Sequence, residues 1–108
     1  MVAVDNRINL FIAYVDKHID EPMPTAEAIA QAIHVSRSTL FRIVDKELAM
    51  SPFQYIRQEK LNKALVLLES GDYHSIKSIA SAVGYLRTDH FAAIFMDAFD
   101  IDLKEHFN

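Results

Sequence analysis

Cysteine is missing from this 108-residue chain, which removes disulfides, cysteine-bound zinc and thiol catalysis together. A reducing compartment is compatible with that, and the expected location is cytoplasmic. Glycine occurs twice and proline three times, so they act as punctuation, and no low-complexity segment or disordered linker is present. The apolar runs are a few residues long, far short of the roughly twenty needed to cross a bilayer, so no membrane partner is expected. Met1-Val2-Ala3-Val4-Asp5 lacks a basic stretch followed by an apolar one, so it does not read as a signal peptide. Positive charge is short as well: the formal net charge is −4, unfavourable for a nucleic-acid binder, whose phosphate contacts supply most non-specific affinity.

What the chain does have is helical periodicity throughout, with no segment alternating like a half-buried strand. Ile8, Phe11, Ile12, Val15 and Ile19 recur at spacings of three and four, marking an amphipathic helix that Pro22 and Pro24 end. Thr25 is placed to cap a short helix running to Ile33, and Ser36 to cap the next one. In that second helix Leu40, Ile43, Val44 and Leu48 form a buried stripe, with Arg37, Ser38, Phe41, Arg42 and Lys46 largely opposite. Ser51-Pro52 starts the longest helix, with Ser as cap and Pro at the first helical position, and Gly71 stops it. At 1.5 Å per residue it spans roughly 25–30 Å.

The most informative pattern is a unit that occurs twice. Ile29, Ala30, Ala32 and Ile33 match Ile79, Ala80, Ala82 and Val83. With one extra residue in the second copy, Leu40, Val44 and Leu48 match Phe91, Phe95 and Phe99. Each copy opens on a hydroxyl residue, Thr25 or Ser75, runs through a short apolar helix, turns, and enters a second helix. That is the outline of a helix-turn-helix, whose second helix can lie in the DNA major groove. The second copy is read as Ser75 to Val83, a turn containing Gly84, and Arg87 to about Ala98, followed by a short helix near Asp102 to Phe107. The expected fold is all-α, about seven helices, with a first helix-turn-helix lobe over 1–50, a connecting helix over 51–70 and a second lobe over 71–108.

Charge is distributed unevenly over these parts. Residues 1–35 carry a net −3, residues 36–63 a net +3 and residues 64–108 a net −4. The first motif is therefore electrostatically suited to DNA and the second much less so. Catalysis has no footing: His18, His34, His74, His90 and His106 lack metal-ligand spacing, and neither a Gly-rich phosphate loop nor a nucleophile elbow is present. No enzyme activity, catalytic residue, cofactor or metal is expected.

Taken together, Ile29-Ala30, Val35-Ser36, Leu40-Phe41-Arg42, Ser51-Pro52-Phe53-Gln54-Tyr55-Ile56, Lys60-Leu61-Asn62-Lys63-Ala64, Leu67-Leu68, Ser75-Ile76-Lys77-Ser78-Ile79-Ala80, Val83-Gly84-Tyr85 and the Phe91, Phe95, Phe99 series resemble the DNA-binding domain of the AraC/XylS family of bacterial transcription regulators, over nearly the whole chain from about Arg7. The resemblance implies two helix-turn-helix lobes joined by a long helix, one recognition helix from each lobe in successive major-groove segments, and transcription activation through contact with RNA polymerase. Many relatives attach this module to a sensing or dimerising domain absent from this chain, which is then either a stand-alone regulator or, the reading favoured, a C-terminal fragment. Several residues depart from the family pattern. Lys60 stands where Arg is usual, and Ala49 and Asp100 where Gly is usual; the Ala is expected to cost little if it stays helical. Ala93, Met96 and Asp97 occupy positions usually basic. The Pro expected near Leu103 and the Tyr-Arg expected near His106-Phe107 are missing.

By the same resemblance, the first recognition helix would present Arg37, Ser38, Thr39, Phe41 and Arg42 to double-stranded promoter DNA. Arg42 either pairs with guanine O6 and N7 or is a surface arginine neutralised by Glu47 or Asp45. Phe41 either packs on a thymine methyl or belongs to the core. Ser36, Ser38 and Thr39 suit phosphates near a helix N-terminus, although Ser36 also serves as a cap. Lys46, Arg57, Lys60 and Lys63 read as phosphate screens or plain surface. The second helix would present Arg87, Thr88, Asp89, His90 and Ala93, with Arg87 and Thr88 holding phosphates, Asp89 accepting from cytosine N4, and His90 donating or merely exposed. The competing class is a degenerate relative whose acidic second lobe contacts a protein, leaving DNA binding weak.

Overall fold

Five helices in this chain begin just after a residue whose side chain satisfies a backbone N–H group that the helix itself leaves unpaired. The computed structural model describes residues 4–108, so Met1–Ala3, part of the stretch examined for a signal peptide, lie outside the described residues. It contains α1 (Arg7–Lys17), α2 (Ala26–Ala32), α3 (Arg37–Leu48), α4 (Pro52–Ser70), α5 (Ile76–Ala82), α6 (Thr88–Phe99) and α7 (Leu103–His106). No strand occurs among the described residues, and none of their helices is long and apolar enough to cross a membrane.

Thr25 Oγ1 accepts the Ala28 N–H at 3.1 Å, Ser36 Oγ the Thr39 N–H at 3.2 Å and Ser75 Oγ the Ser78 N–H at 3.1 Å. Ser51 does more than cap α4. Its Oγ accepts the Gln54 N–H at 3.1 Å while Gln54 Oε1 accepts the Ser51 N–H at 2.9 Å, a reciprocal capping box that the Ser-Pro signal alone did not reveal. Asp102 caps α7 through the Lys104 and Glu105 N–H groups.

The chain forms two units. The first runs to Ile19 and resumes over Met23–Arg57; the second takes Asp20–Pro22 with Gln58–Asn108. Helix α4 thus contributes residues to both. In the first, Ile8, Phe11 and Val15 of α1 are buried with Ile29 and Ala30 of α2, Ile33 just after it, Leu40, Ile43 and Val44 of α3, and Ile56 of α4. In the second, Leu61, Ala64 and Leu68 of α4 join Ile79, Ala80, Val83, Phe91, Phe95 and Leu103. Of the matched pairs, Ile29/Ile79, Ala30/Ala80, Ile33/Val83, Leu40/Phe91 and Val44/Phe95 are fully buried in their respective cores, and Leu48/Phe99 pack partly buried against them.

The repeat extends to the backbone. Val35 N–H bonds Ala30 O at 3.0 Å, and Tyr85 N–H bonds Ala80 O at 2.9 Å. His34 and Gly84, one residue earlier, are both left-handed, with φ of 62° and 79°. Ala49 and Asp100, which close α3 and α6, have φ of 57° and 56°. Ala49 therefore does not continue the helix, as the sequence reading allowed; it terminates α3 in the conformation that glycine adopts most cheaply.

Lys60 is also placed differently from the sequence expectation. It is neither phosphate screen nor surface: its residue is 1% exposed. The ammonium donates to the Glu21 carbonyl and, at 2.9 Å, to the Val83 carbonyl at the end of α5. Burial pushes its pKa down, opposed by the negative charges of Asp20 and Glu21. Gly84 makes room for this arrangement. A Cβ there would fall on the Glu21 carbonyl and lie 2.9 Å from Lys60 Nζ.

Candidate nucleic-acid interface

Helix α3 is positioned by its buried stripe, and the residues between those stripe positions face solvent by helical geometry. Arg37, Ser38, Arg42 and Lys46 are exposed, while Thr39 and Phe41 are half-buried. At the N-terminus, Ser36 Oγ, besides capping, bonds Thr39 Oγ1 at 2.9 Å and sits 3.4 Å from Ser38 Oγ. Three hydroxyls are thereby gathered where backbone N–H groups and the helix dipole favour an anion. The Phe41 ring makes an edge contact with Phe53, centroids 6.1 Å apart, and the Arg37 guanidinium lies 5.2 Å from its centroid. Phe41 is thus partly a packing residue, half-buried rather than enclosed. It also borders an open groove shared with Arg42, Asp45, Ala49, Met50, Ser51 and Gln54.

The cations on this face differ in what already holds them. Arg37 Nε stands 3.4 Å from Glu27 Oε1 of α2, a partner not foreseen in the sequence. Lys46 Nζ is 3.8 Å from Glu47, whose carboxylate also accepts the Asp5 N–H at 3.1 Å. Arg42 takes no carboxylate among the described residues. The surface pairing with Glu47 or Asp45 considered from sequence is not formed. Arg42 is an exposed guanidinium whose planar fork suits bidentate recognition.

Helix α6 stands at the equivalent place in the second unit, one residue later in register. Arg87 occupies the cap position of Ser36 but makes no side-chain cap, and the helix begins at Thr88 as α3 begins at Arg37. Its guanidinium donates instead to Asp89 Oδ2 at 2.9 Å, and this bond, helped by the His90 N–H, holds the Asp89 carboxyl below its usual pKa. Further along, Ala93 replaces Arg42 and Asp97 replaces Lys46. His90 is exposed, its ring 6.2 Å from that of Tyr85. Thr88 is half-buried and lines a small pocket with Asp20, Pro22, Lys77, Ser81, Gly84, Tyr85 and Leu86. Leu86 is the inserted residue of the second turn, and at 85% exposure it is the most exposed large hydrophobic side chain described. The sequence reading passed it over, although the insertion marked it. No group of three or more His, Asp or Glu side chains is gathered to hold a metal among the described residues.

The comparisons agree with this architecture. A family model described as a helix-turn-helix domain matches residues 29–107. Over 96 residues the chain is 30% identical to the HTH-type transcriptional activator RhaS of Salmonella schwarzengrund, covering 89% of this chain and 34% of that relative, so it spans about a third of the relative's length. Among solved structures it is similar to a transcriptional regulator of Chromobacterium violaceum, described among AraC-type DNA-binding domain-containing proteins. That match has 28% identity and a TM-score of 0.82, covering 94% of this chain and 88% of that one. It is also similar to the C-terminal domain of AraT, a response regulator from Geobacillus stearothermophilus, at 25% identity and a TM-score of 0.87, covering 98% and 87%.

Proposed function

This chain belongs to the AraC/XylS family of helix-turn-helix DNA-binding domains of transcription regulators, and on that premise we propose that it binds promoter DNA sequence-specifically and activates transcription. In this reading α3 and α6 enter successive major-groove segments about one helical turn, 10–10.5 bp, apart. The observation that carries it is Arg42, exposed on the outer face of α3 and without a carboxylate partner among the described residues. It reads a guanine through O6 and N7. Ser36, Ser38, Thr39 and the helix N-terminus hold an adjacent phosphate, and Arg37 and Lys46 add positive charge. Phe41 offers the uncovered part of its half-buried ring to a thymine methyl. In the second unit Thr88 and Arg87 meet phosphates, with Asp89 and His90 at base edges.

RNA polymerase is the protein partner of this proposal, a sensing or dimerising domain outside this chain supplies any regulation, and the cytoplasm is the place of action. No catalytic step is involved. The reading is tested by selecting from a random duplex library with the 108-residue chain at low salt. Enrichment of a defined sequence supports it. Failure to retain any duplex favours the second reading, a protein-interaction module, which the Arg87–Asp89 pair and the acidic Asp97 on α6 make the natural competitor.

A further inference from the structure

The exposed face of α6 has few groups to offer a base by hydrogen bonding. Arg87 and Asp89 are engaged with each other at 2.9 Å, so part of the hydrogen-bonding capacity of each is already used. Ala93 has no polar atom, and Met96 has only a weakly accepting thioether. Beside exposed His90 and Asp97, this surface displays apolar side chains: Leu86 at 85% exposure, Met96 at 42%, and exposed Ala93 between them in sequence. Ala93 and Met96 are three residues apart and so neighbours on the helix surface. Leu86 directly precedes the cap, at the N-terminal end of the helix, the end that contacts base edges in helix-turn-helix docking. A single exposed leucine needs no explanation. Three apolar residues about the recognition helix, with Ala93 at the place of Arg42, Met96 at the place of Asp45 and Leu86 inserted before the cap, do.

The major groove presents one apolar group, the 5-methyl of thymine. We propose that the second helix-turn-helix reads thymine methyl groups by van der Waals contact through Leu86, Ala93 and Met96, while the first reads by hydrogen bond and charge. This rests on α6 entering a major groove, as proposed above. It makes the α6 half of the operator thymine-dependent and leaves most of the salt dependence of binding to the first unit, with Arg87 the second unit's one cation on a phosphate, because methyl contacts release no counterions.

The test uses a duplex selected from a random library by the intact chain. Its α3 half-site is identified as the half where Arg42→Ala relaxes base preference. Thymines in the other half are then replaced one at a time by deoxyuridine, which removes only the methyl group. Each critical replacement is expected to weaken binding about threefold to fivefold, the scale of one buried methylene equivalent. In Leu86→Ala or Met96→Ala that penalty falls below about twofold at the thymine concerned. Both positions are exposed, and circular dichroism verifies that the variants stay folded. Indifference of the α6 half-site to deoxyuridine overturns the proposal while leaving DNA binding through α3 standing. A deoxyuridine penalty unchanged in both variants overturns it too. Failure to select any duplex removes the underlying reading as well, and assigns the exposed Leu86 and Met96 to a protein partner.

Discussion

The two helix-turn-helix units follow the same backbone plan and carry opposite chemistry on their outer faces. Both turn through a left-handed residue after the first helix, His34 or Gly84, and both end the second helix on another, Ala49 or Asp100. Both bury an isoleucine of the first helix and two large residues of the second. Yet the first unit displays Arg37, Arg42 and Lys46 where the second displays Thr88, Ala93 and Asp97. The difference teaches that fold and reading are written on separate residues. The buried positions and the left-handed turns fix the shape, and a solvent-facing set free of packing constraints decides what the shape can bind.

The most disruptive way to break the parallel is at the first turn residue. Gly84→Ala puts a Cβ on the Glu21 carbonyl beside the buried Lys60 and strains a positive φ. It is expected to destabilise the protein by about 3 kcal/mol or more in urea denaturation, in the range of severe single-site effects. His34→Ala, at the matching position with a similar φ of 62°, exchanges one non-glycine residue for another and should stay within about 1 kcal/mol. Equal losses would mean that the Glu21–Lys60–Val83 arrangement does not set the second unit apart.

A second contrast concerns DNA affinity. Arg42→Ala should weaken binding to a selected duplex by about 1–3 kcal/mol, five-fold to more than a hundred-fold, and relax discrimination at one base pair. Asp89→Ala and His90→Ala should each change affinity by less, and Asp89→Ala can strengthen it by freeing Arg87 for a phosphate. Competition titrations that found equal losses at all three would place both units on the same footing.

The smallest effect separates the two helix ends. Ala49→Gly relieves a left-handed alanine and should stabilise the first unit by up to about 1 kcal/mol. Asp100→Gly should gain less, since aspartate tolerates that conformation better than alanine does. Thermal melts of the two variants decide it; a destabilising Ala49→Gly would show that the left-handed C-cap is not strained.

Most of the fold could be read in the sequence, because its signals are local. Thr25, Ser36, Ser51 and Ser75 are caps, Gly71 a stop, and the isoleucine, leucine and phenylalanine spacings locate the cores. What escaped depended on contacts distant along the chain. Lys60 looks like any helical lysine until Glu21, 39 residues away, and Val83 are found to enclose it. The left-handed state of Ala49 is signalled only by the glycine usual there in the family, since alanine itself gives no local sign of a positive φ. For the interface, periodicity placed Arg42 on the outer face, but it could not show that Glu47 accepts the Asp5 N–H and lies beside Lys46, while Arg42 takes no carboxylate among the described residues. Leu86 was visible only as an insertion, with nothing local to say that the turn would hold it out in solvent.

The central claim, that the first unit supplies most of the charge contacts to DNA and the second few, is met most directly by the salt dependence of duplex binding. Log affinity plotted against log salt should fall with a clear negative slope in the native chain. The slope should become shallower by about two phosphate contacts' worth, near 1.8, in the Arg37→Ala/Lys46→Ala double variant, and stay unchanged in Leu86→Ala/Ala93→Ser. A slope untouched by the first pair, or flattened equally by the second, would contradict it.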